Sequence, residues 1–475
     1  MALWRSTVIV SAMTMLSRVL GLVRDIVLLN VFGAGKDFDT FVVAFRIPNF
    51  FRRLFAEGAF SQAFIPVLTE YKTGRTHAEV QILISRVFGC LMTVMTALTF
   101  IAMVAAPAVL YIYAPGFHAD PEKFDLAVSM FRLTIPYLLF MSLTAFASSI
   151  LNSYGSFASP AFSPVLLNVA MIAGAWWLTP YMAEPIMALG WAVIAAGVLQ
   201  LAIQIPELWH KKLLIPPKVD FKHEGVDRIM KLMLPALFGV SVTQINLLLN
   251  TIWASFMQDG SVSWLYSAER MTELPLGLIG VAIGTVILPA LSTRHAEQDM
   301  SKFRGMMDWA AKVIVLVGVP ASIALFMLST PIIQALFQRG QFTIEDTQMT
   351  ALALQCMSAG VISFMLIKVF APGFYAQQDT KTPVRVGLMA VAANAILNVV
   401  FIGFFKLIDW QAEHMALALA SSGSALVNAG MLYFYLHKRD IFRFGAHWKK
   451  LFIQFGISNA VMIAALWYAL TWYNG

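Results

Sequence analysis

The chain has 475 residues and a formal net charge of +7, with 59% of its residues apolar and only 12% charged. Soluble domains run at about 45–50% apolar and about 25% charged, so a water-facing surface of this size cannot be clothed from so few charges, and a mean hydropathy of +0.73 agrees. This excludes a disordered chain, a disulfide scaffold and a cytosolic enzyme, and leaves an all-α polytopic membrane protein. The two cysteines, Cys90 and Cys356, each lie in an apolar run, which suggests neither a disulfide framework nor a thiolate metal site.

A membrane-crossing helix needs about 20 predominantly apolar residues. Apolar runs read against Pro, Gly and charge breaks predict thirteen spans, near 7–32, 38–69, 80–113, 124–152, 161–180, 186–208, 229–257, 262–291, 304–328, 347–374, 384–405, 414–436 and 450–472. The first run is too long and too charged for a cleavable signal peptide. Lys and Arg concentrate in alternate connections, above all in 209–228 and 438–450, whereas the opposite set holds only Lys36, Lys123, Arg339 and Lys406. The positive-inside rule then places the N-terminus and the 209–228 loop in the cytoplasm. The net positive charge is thereby a feature of membrane topology, and no nucleic-acid partner is expected.

Span one carries Arg18, Arg24 and Asp25; span two carries Asp39, Arg46, Arg52, Arg53 and Glu57; span eight carries Arg270 and Glu273. A charge at mid-membrane costs about 2.5–3.5 kcal/mol on insertion scales, so such residues face a partner or a wet cavity. Arg18 and Arg24 stand about 9 Å apart along one helix axis. Arg53 with Glu57, and Arg270 with Glu273, have the spacing of pairs on one helix face. Arg18, Arg24 and Arg52 have no such evident neighbour, save that Asp25 adjoins Arg24. Surplus guanidinium in a cavity calls for an anion, and its forked donors suit phosphate oxygens. Arg46, Arg53, Arg86, Arg132, Lys231, Lys312 and Lys368 are expected instead to pair with acids elsewhere or to reach headgroups.

Breakers sit beside these charges: Pro48, Gly58 and Pro66 in span two, and Pro275, Gly277, Gly280, Gly284 and Pro289 in span eight. Broken helices at membrane depth are tolerated where the backbone lines protein or a water-filled cavity, so these positions are read as hinges.

Two halves echo each other. Pro66 is answered by Pro289, Tyr154 by Tyr375 and Pro160 by Pro383, all about 222 residues apart. Six spans separate the copies, so both halves share one orientation, the arrangement of transporters with parallel repeats and a substrate site between them. The expected organisation is an N-lobe at 1–209 (spans one to six), a cytoplasmic linker at 210–228, a C-lobe at 229–437 (spans seven to twelve) and an extra C-terminal helix in 438–475, with the two six-helix lobes around a central cavity.

No P-loop, HExxH or paired His/Cys ligand set occurs in the sequence, so no cofactor or metal is expected. Spans eleven and twelve hold no acid, only Asn394, Asn398 and Asn428. A monovalent ion is a possible partner of unassigned identity.

Met15-Leu16-Ser17-Arg18-Val19-Leu20-Gly21, Arg24-Asp25, Phe32-Gly33-Ala34-Gly35, Pro48-Asn49 and the block from Arg52 to Pro66 resemble the MurJ (MviN) family of the multidrug/oligosaccharidyl-lipid/polysaccharide exporter superfamily. So do Ala114-Pro115-Gly116-Phe117, Gly260-Ser261-Val262-Ser263-Trp264 and Ala371-Pro372-Gly373-Phe374-Tyr375. The resemblance implies a flippase for lipid II, the undecaprenyl-pyrophosphate-linked peptidoglycan precursor, in the bacterial cytoplasmic membrane. It implies that Arg18, Arg24, Arg52 and Arg270 contact the pyrophosphate-sugar headgroup, that Asp25, Asp39, Glu57 and Glu273 are functional acids in the cavity, and that the lobes work by alternating access. One departure is the span count: the family carries fourteen, the last two forming a groove for the polyprenyl tail, and the fourteenth is expected to be missing here.

Rival readings are a flippase for another polyprenyl-pyrophosphate saccharide, which the charge pattern does not separate, and a drug/cation antiporter of the same superfamily, which would want cavity acids rather than surplus arginine. An intramembrane glycosyltransferase would need a general base and usually an acid cluster in an outer loop. The outer connections are short and offer only scattered acids, so no enzyme is expected.

Overall fold

The computed structural model describes the backbone of residues 2–52, 60–445 and 447–474, with side chains described throughout except at 2–9, 234–244, 278–279, 281–282, 285 and 473–474. Nineteen α-helices and no strand are found among these residues. Packing divides the chain into two units, Met1–Gln244 with Gln258–Val262 and Arg339–Phe342, and Ile245–Met257 with Ser263–Gln338 and Thr343–Gly475. The linker and the first part of the seventh predicted span thus fall in the first unit, and the C-terminal helix in the second.

The first unit contains α1 (Ala2–Phe32), α2 (Lys36–Phe51), α3 (Phe60–Gly74), α4 (His77–Val104), α5 (Ala106–Tyr113), α6 (Pro121–Thr134), α7 (Tyr137–Ser153), α8 (Ala158–Ala173), α9 (Met187–Ala202), α10 (Ile205–His210) and the start of α11 (Glu224–Ala254). Their ends are set by local chemistry. Thr76 and Glu79 close a reciprocal capping box at the start of α4, and the Asp120 carboxylate accepts the amides of Glu122 and Lys123 at the start of α6. α1 packs on α8, α2 on α6, and α3 on α7 and α4. A buried core of Phe60, Phe64, Leu68, Leu83 and Phe146 joins the last three, with the Phe64 and Phe146 rings 5.2 Å apart.

The linker is stitched along α4. Lys218 N donates to Ser85 O at 3.0 Å, Ser85 Oγ to Pro216 O at 2.7 Å and Gln81 Nε2 to Lys212 O at 2.8 Å. Gly89 permits the approach, since a Cβ there would stand 2.4 Å from the Lys218 carbonyl.

The second unit holds the rest of α11 with α12 (Ser261–Pro275), α13 (Val281–Ala296), α14 (Met300–Met327), α15 (Ser329–Phe337), α16 (Ile344–Tyr375), α17 (Lys381–Leu407), α18 (Met415–Lys438) and α19 (His447–Asn474). α16 is its centre and packs on α13, α14, α15 and α18. Thr343 and Asp346 form its capping box, and the other Asp346 oxygen accepts the Trp264 indole N–H at 2.9 Å. α19 touches the unit chiefly through α14.

Nine helices among the described residues are long and apolar enough to cross a membrane. They correspond to nine of the thirteen predicted spans. The other four, at 7–32, 38–69, 229–257 and 262–291, are helical where described apart from the turn at 255–257, as α1, α2 with α3, α11, and α12 with α13. Three of these four carry the charges and breakers singled out above.

Candidate functional site

Each unit contributes its own charged groups. In α1, Arg18 is exposed, whereas Arg24 and Asp25 are only 7% and 2% exposed. Asp25 Oδ1 accepts from Arg24 Nε at 3.0 Å and Nη2 at 2.7 Å. Arg24 Nη1 donates to Asn168 Oδ1 of α8 at 3.0 Å, and Asn168 Nδ2 donates to Ser17 O at 2.9 Å. A buried guanidinium is tolerable when paired and hydrogen-bonded. Arg24 is therefore not a surplus charge: Asp25 neutralises it in place, and Asn168 fixes the direction of its remaining edge.

Asp39, near the start of α2, is 1% exposed. Its Oδ2 accepts the Gly260 amide at 2.8 Å and stands 3.6 Å from Lys123 Nζ. Lys123, expected in an outward connection, is instead buried at the start of α6, with its ammonium 2.5 Å from Asp259 and 4.2 Å above the Phe117 ring. Asp39 thus belongs to a buried ion cluster formed with the 258–262 segment. Nearby, Lys36 bonds Asp120 at 2.9 Å and Glu122 at 2.7 Å. Hydrogen bonds to Glu122 and Asp120 hold the Lys36 ammonium above its ordinary range, and the Lys36 hydrogen bond holds the Asp120 carboxyl below its own.

At the end of α2, Arg52 Nε donates to Asn49 Oδ1 at 2.8 Å, one turn back. Pro48 lies in the last turn of this helix and Pro66 inside α3. Arg53, Glu57 and Gly58 lie outside the described residues.

In the second unit, Arg270 and Glu273 meet as their spacing predicts, Nη1 to Oε2 at 2.9 Å. The guanidinium also donates to Tyr266 Oη at 3.3 Å and lies 4.9 Å from that ring's centroid. The pair is half exposed, so Arg270 is oriented without being enclosed. Below it, Pro275 ends α12, Gly277 lies in a π-helical turn at Leu276–Gly280, and α13 follows directly with Pro289 inside it. Proline lacks the N–H that would close the preceding turn, and a π-turn absorbs such a fault without ending the helix. Span eight is interrupted in its hydrogen bonding rather than broken.

Two sets of amides stand out among the buried polar groups that the sequence did not single out as sites. Asn168 offered no signal beyond being an amide in an apolar run. Asn394 and Asn398 of α17 are fully buried; Asn398 Nδ2 donates to Asn250 Oδ1 of α11 at 3.2 Å and to Asn394 Oδ1 at 3.1 Å, and Asn250 Nδ2 to Ser421 Oγ at 2.8 Å. Among the described residues, no group of three or more His, Cys, Asp or Glu side chains converges as a metal site would.

Nine helices of membrane-crossing length among the described residues, with ion clusters buried between helices, define a polytopic membrane protein. Solved structures share the architecture. An inward-facing multidrug resistance transporter of the MATE family, in the MOP superfamily, superposes with a TM-score of 0.71 at 12% identity over 91% of this chain and 97% of its own, which speaks to fold alone. A lipid II flippase MurJ in an inward closed conformation superposes with a TM-score of 0.82 at 26% identity, over 97% of this chain and 93% of its own. The family model for lipid II flippase MurJ matches residues 28–475. A probable lipid II flippase MurJ of Vibrio cholerae serotype O1 is 44% identical over 99% of this chain and 91% of its own length. The lipid II flippase MurJ of Burkholderia cenocepacia is 40% identical over 98% and 90%. The chain belongs to the lipid II flippase MurJ family.

Proposed function

We propose that this multi-pass protein of the bacterial inner membrane moves lipid II from the inner to the outer leaflet by alternating access, with its N-terminus in the cytoplasm, and that it makes and breaks no covalent bond. The carrying observation is the family match across residues 28–475. In the structure, the half-exposed Arg270, oriented by Tyr266 and Glu273, supports it. An oriented guanidinium presents parallel donors to a diphosphate and loses little freedom on binding.

In this reading Arg18, Arg24, Arg52 and Arg270 receive the headgroup. Asp25, Glu57 and Glu273 balance the cations while no substrate is bound, and Asp39 holds the Lys123 cluster together. Pro48, Gly58, Pro66, Pro275, Gly277 and Pro289 supply the places where spans two and eight flex. A headgroup carrying net charge is driven by the membrane potential at about 2.3 kcal/mol per charge per 100 mV, or by a monovalent ion moving down its gradient.

Depletion of the protein in growing cells tests this. Lipid II is expected to accumulate in the inner leaflet. Accumulation of a different polyprenyl-pyrophosphate saccharide would replace the substrate, and unchanged precursors with altered drug efflux would replace the class.

A further inference from the structure

Most of the membrane-embedded cations expected to find structural partners do so. Arg86 stands 3.7 Å from Asp220, Lys231 2.6 Å from Asp227 and Lys312 2.6 Å from Asp308. Arg132 Nε donates to Met103 O at 3.2 Å. Lys368 differs. It lies within α16, is exposed, and makes no hydrogen bond or ion pair with any described residue.

Its surroundings say which way it faces. Val361, Met365, Val369 and Phe370 bury one side of α16 in the second unit's core. Phe364, Lys368 and Tyr375 fall on another face and are exposed. The Lys368 stem lies against the glycines of span eight: a Cβ on Gly280 would be 3.8 Å from Lys368 Cγ, and one on Gly284 would be 3.6 Å from Lys368 Cβ and 3.3 Å from its carbonyl oxygen. The side chain is therefore laid along the helix that carries Arg270. Gly280 and Gly284 are about 15–21 Å from Arg270 along that helix. Lys368 is about 10 Å from the Tyr375 end of α16, the end leading into a connection that the positive-inside pattern assigns to the cytoplasm.

An ammonium within a span that has no partner among the described residues calls for water or an anion. Lysine is a compact point charge that takes a phosphate oxygen from many directions, whereas arginine demands a fixed fork geometry. That suits a first, loosely oriented contact on the way to Arg270. We propose that Lys368 is a substrate-contacting residue, the cation that the diphosphate of the lipid-linked headgroup meets first from the cytoplasmic side. The proposal rests on the flippase reading above and adds to it a contact and an order of contacts.

The test measures lipid II binding to the purified full chain in phosphatidylcholine nanodiscs, for the unaltered protein, Lys368→Met, Lys368→Arg and Arg270→Ala. Lys368→Met is expected to weaken binding at least tenfold and to flatten its salt dependence, with Lys368→Arg within about threefold of the unaltered protein. Equal affinity and salt dependence in Lys368→Met, while Arg270→Ala loses binding, overturns the Lys368 contact and leaves the flippase reading standing. Failure of the unaltered chain to bind lipid II overturns both. Should Lys368→Met not fold, Lys368→Gln carries the same comparison. Independently, Lys368→Cys is expected to react with a water-soluble thiol reagent and to be protected by lipid II; the native Cys90 and Cys356 are buried. A cysteine there that stays unlabelled faces lipid and overturns the proposal.

Discussion

Asn168 of α8 holds Arg24 of α1 by its carbonyl oxygen at 3.0 Å, and with its amide it grips the Ser17 carbonyl of the same α1 at 2.9 Å. One neutral side chain thus orients a buried cation and fastens the helix that bears it. Asn168→Ala removes both bonds. A hydrogen bond to a charged group is worth about 1.5–3 kcal/mol, so the variant is expected to unfold at lower temperature and to flip lipid II at least tenfold more slowly. Asn168→Asp, which keeps an acceptor for Arg24, is expected to recover part of the rate. Thermal unfolding and an outer-leaflet lipid II exposure assay read the two effects separately.

Arg24 and Arg270 separate stability from function. Arg24→Ala removes the guanidinium that pairs with the buried Asp25, and breaking a buried pair by removing one member costs about 3–5 kcal/mol. Arg270→Ala removes one side of a half-exposed pair, for which surface values of about 0–1 kcal/mol apply. Both variants are expected to insert and to lose flipping, but only Arg24→Ala to lose substantial thermal stability. Normal lipid II exposure in Arg270→Ala cells would remove Arg270 from the mechanism.

The cluster of Asp39, Lys123, Asp259 and Gly260 is open to a double-mutant cycle. Lys123→Met removes the ammonium beside the buried Asp39 and is expected to destabilise by about 3–5 kcal/mol. Asp39→Asn in the same chain removes the carboxylate charge as well and is expected to restore part of the loss. Additive single effects would mean that the 3.6 Å separation carries no coupling.

Outside the spans, Asp379 sets an acid limb. Burial pushes its carboxyl up, but the Thr382 hydroxyl and amide and the Arg439 guanidinium outweigh this and hold it at about 2. Its folded value lies below the unfolded one, near 3.9. The stability it contributes is therefore fully present above about pH 4 and is lost as pH falls towards 2. Asp379→Asn is expected to flatten that part of a plot of unfolding temperature against pH and to lower stability at neutral pH. Unchanged curves would remove the Asp379–Arg439 contact from the stability of this connection.

Gly89 gives a steric test of the linker. A methyl group at this position meets the Lys218 backbone at 2.4 Å, and backbone cannot step aside as a flexible side chain can. Gly89→Ala is expected to lift the 213–222 segment from α4 and raise its protease sensitivity severalfold, while Gly74→Ala, with open space around it, leaves the segment protected.

Composition by itself decided that the chain lives in a bilayer, because a hydrocarbon environment is the one solvent in which so many apolar residues need no cover. Spacing along a single helix was equally legible: Arg270 and Glu273, three residues apart, meet as written, since an α-helix places them on one face. What lay beyond reach was every contact between helices distant in the chain. Arg24 looked like spare charge until the structure turned it onto its neighbour Asp25 and α8 brought Asn168 to its other edge from 144 residues away. Lys123 read as a loop cation until folding buried it between Asp39 and Asp259, and Lys368 read as a paired cation until the structure set it against two glycines with no ion-pair partner among the described residues. Charge type and helical position are properties of the covalent chain, but whether a charge is neutralised depends on which side chains packing brings within about 4 Å, and only the tertiary structure settles that.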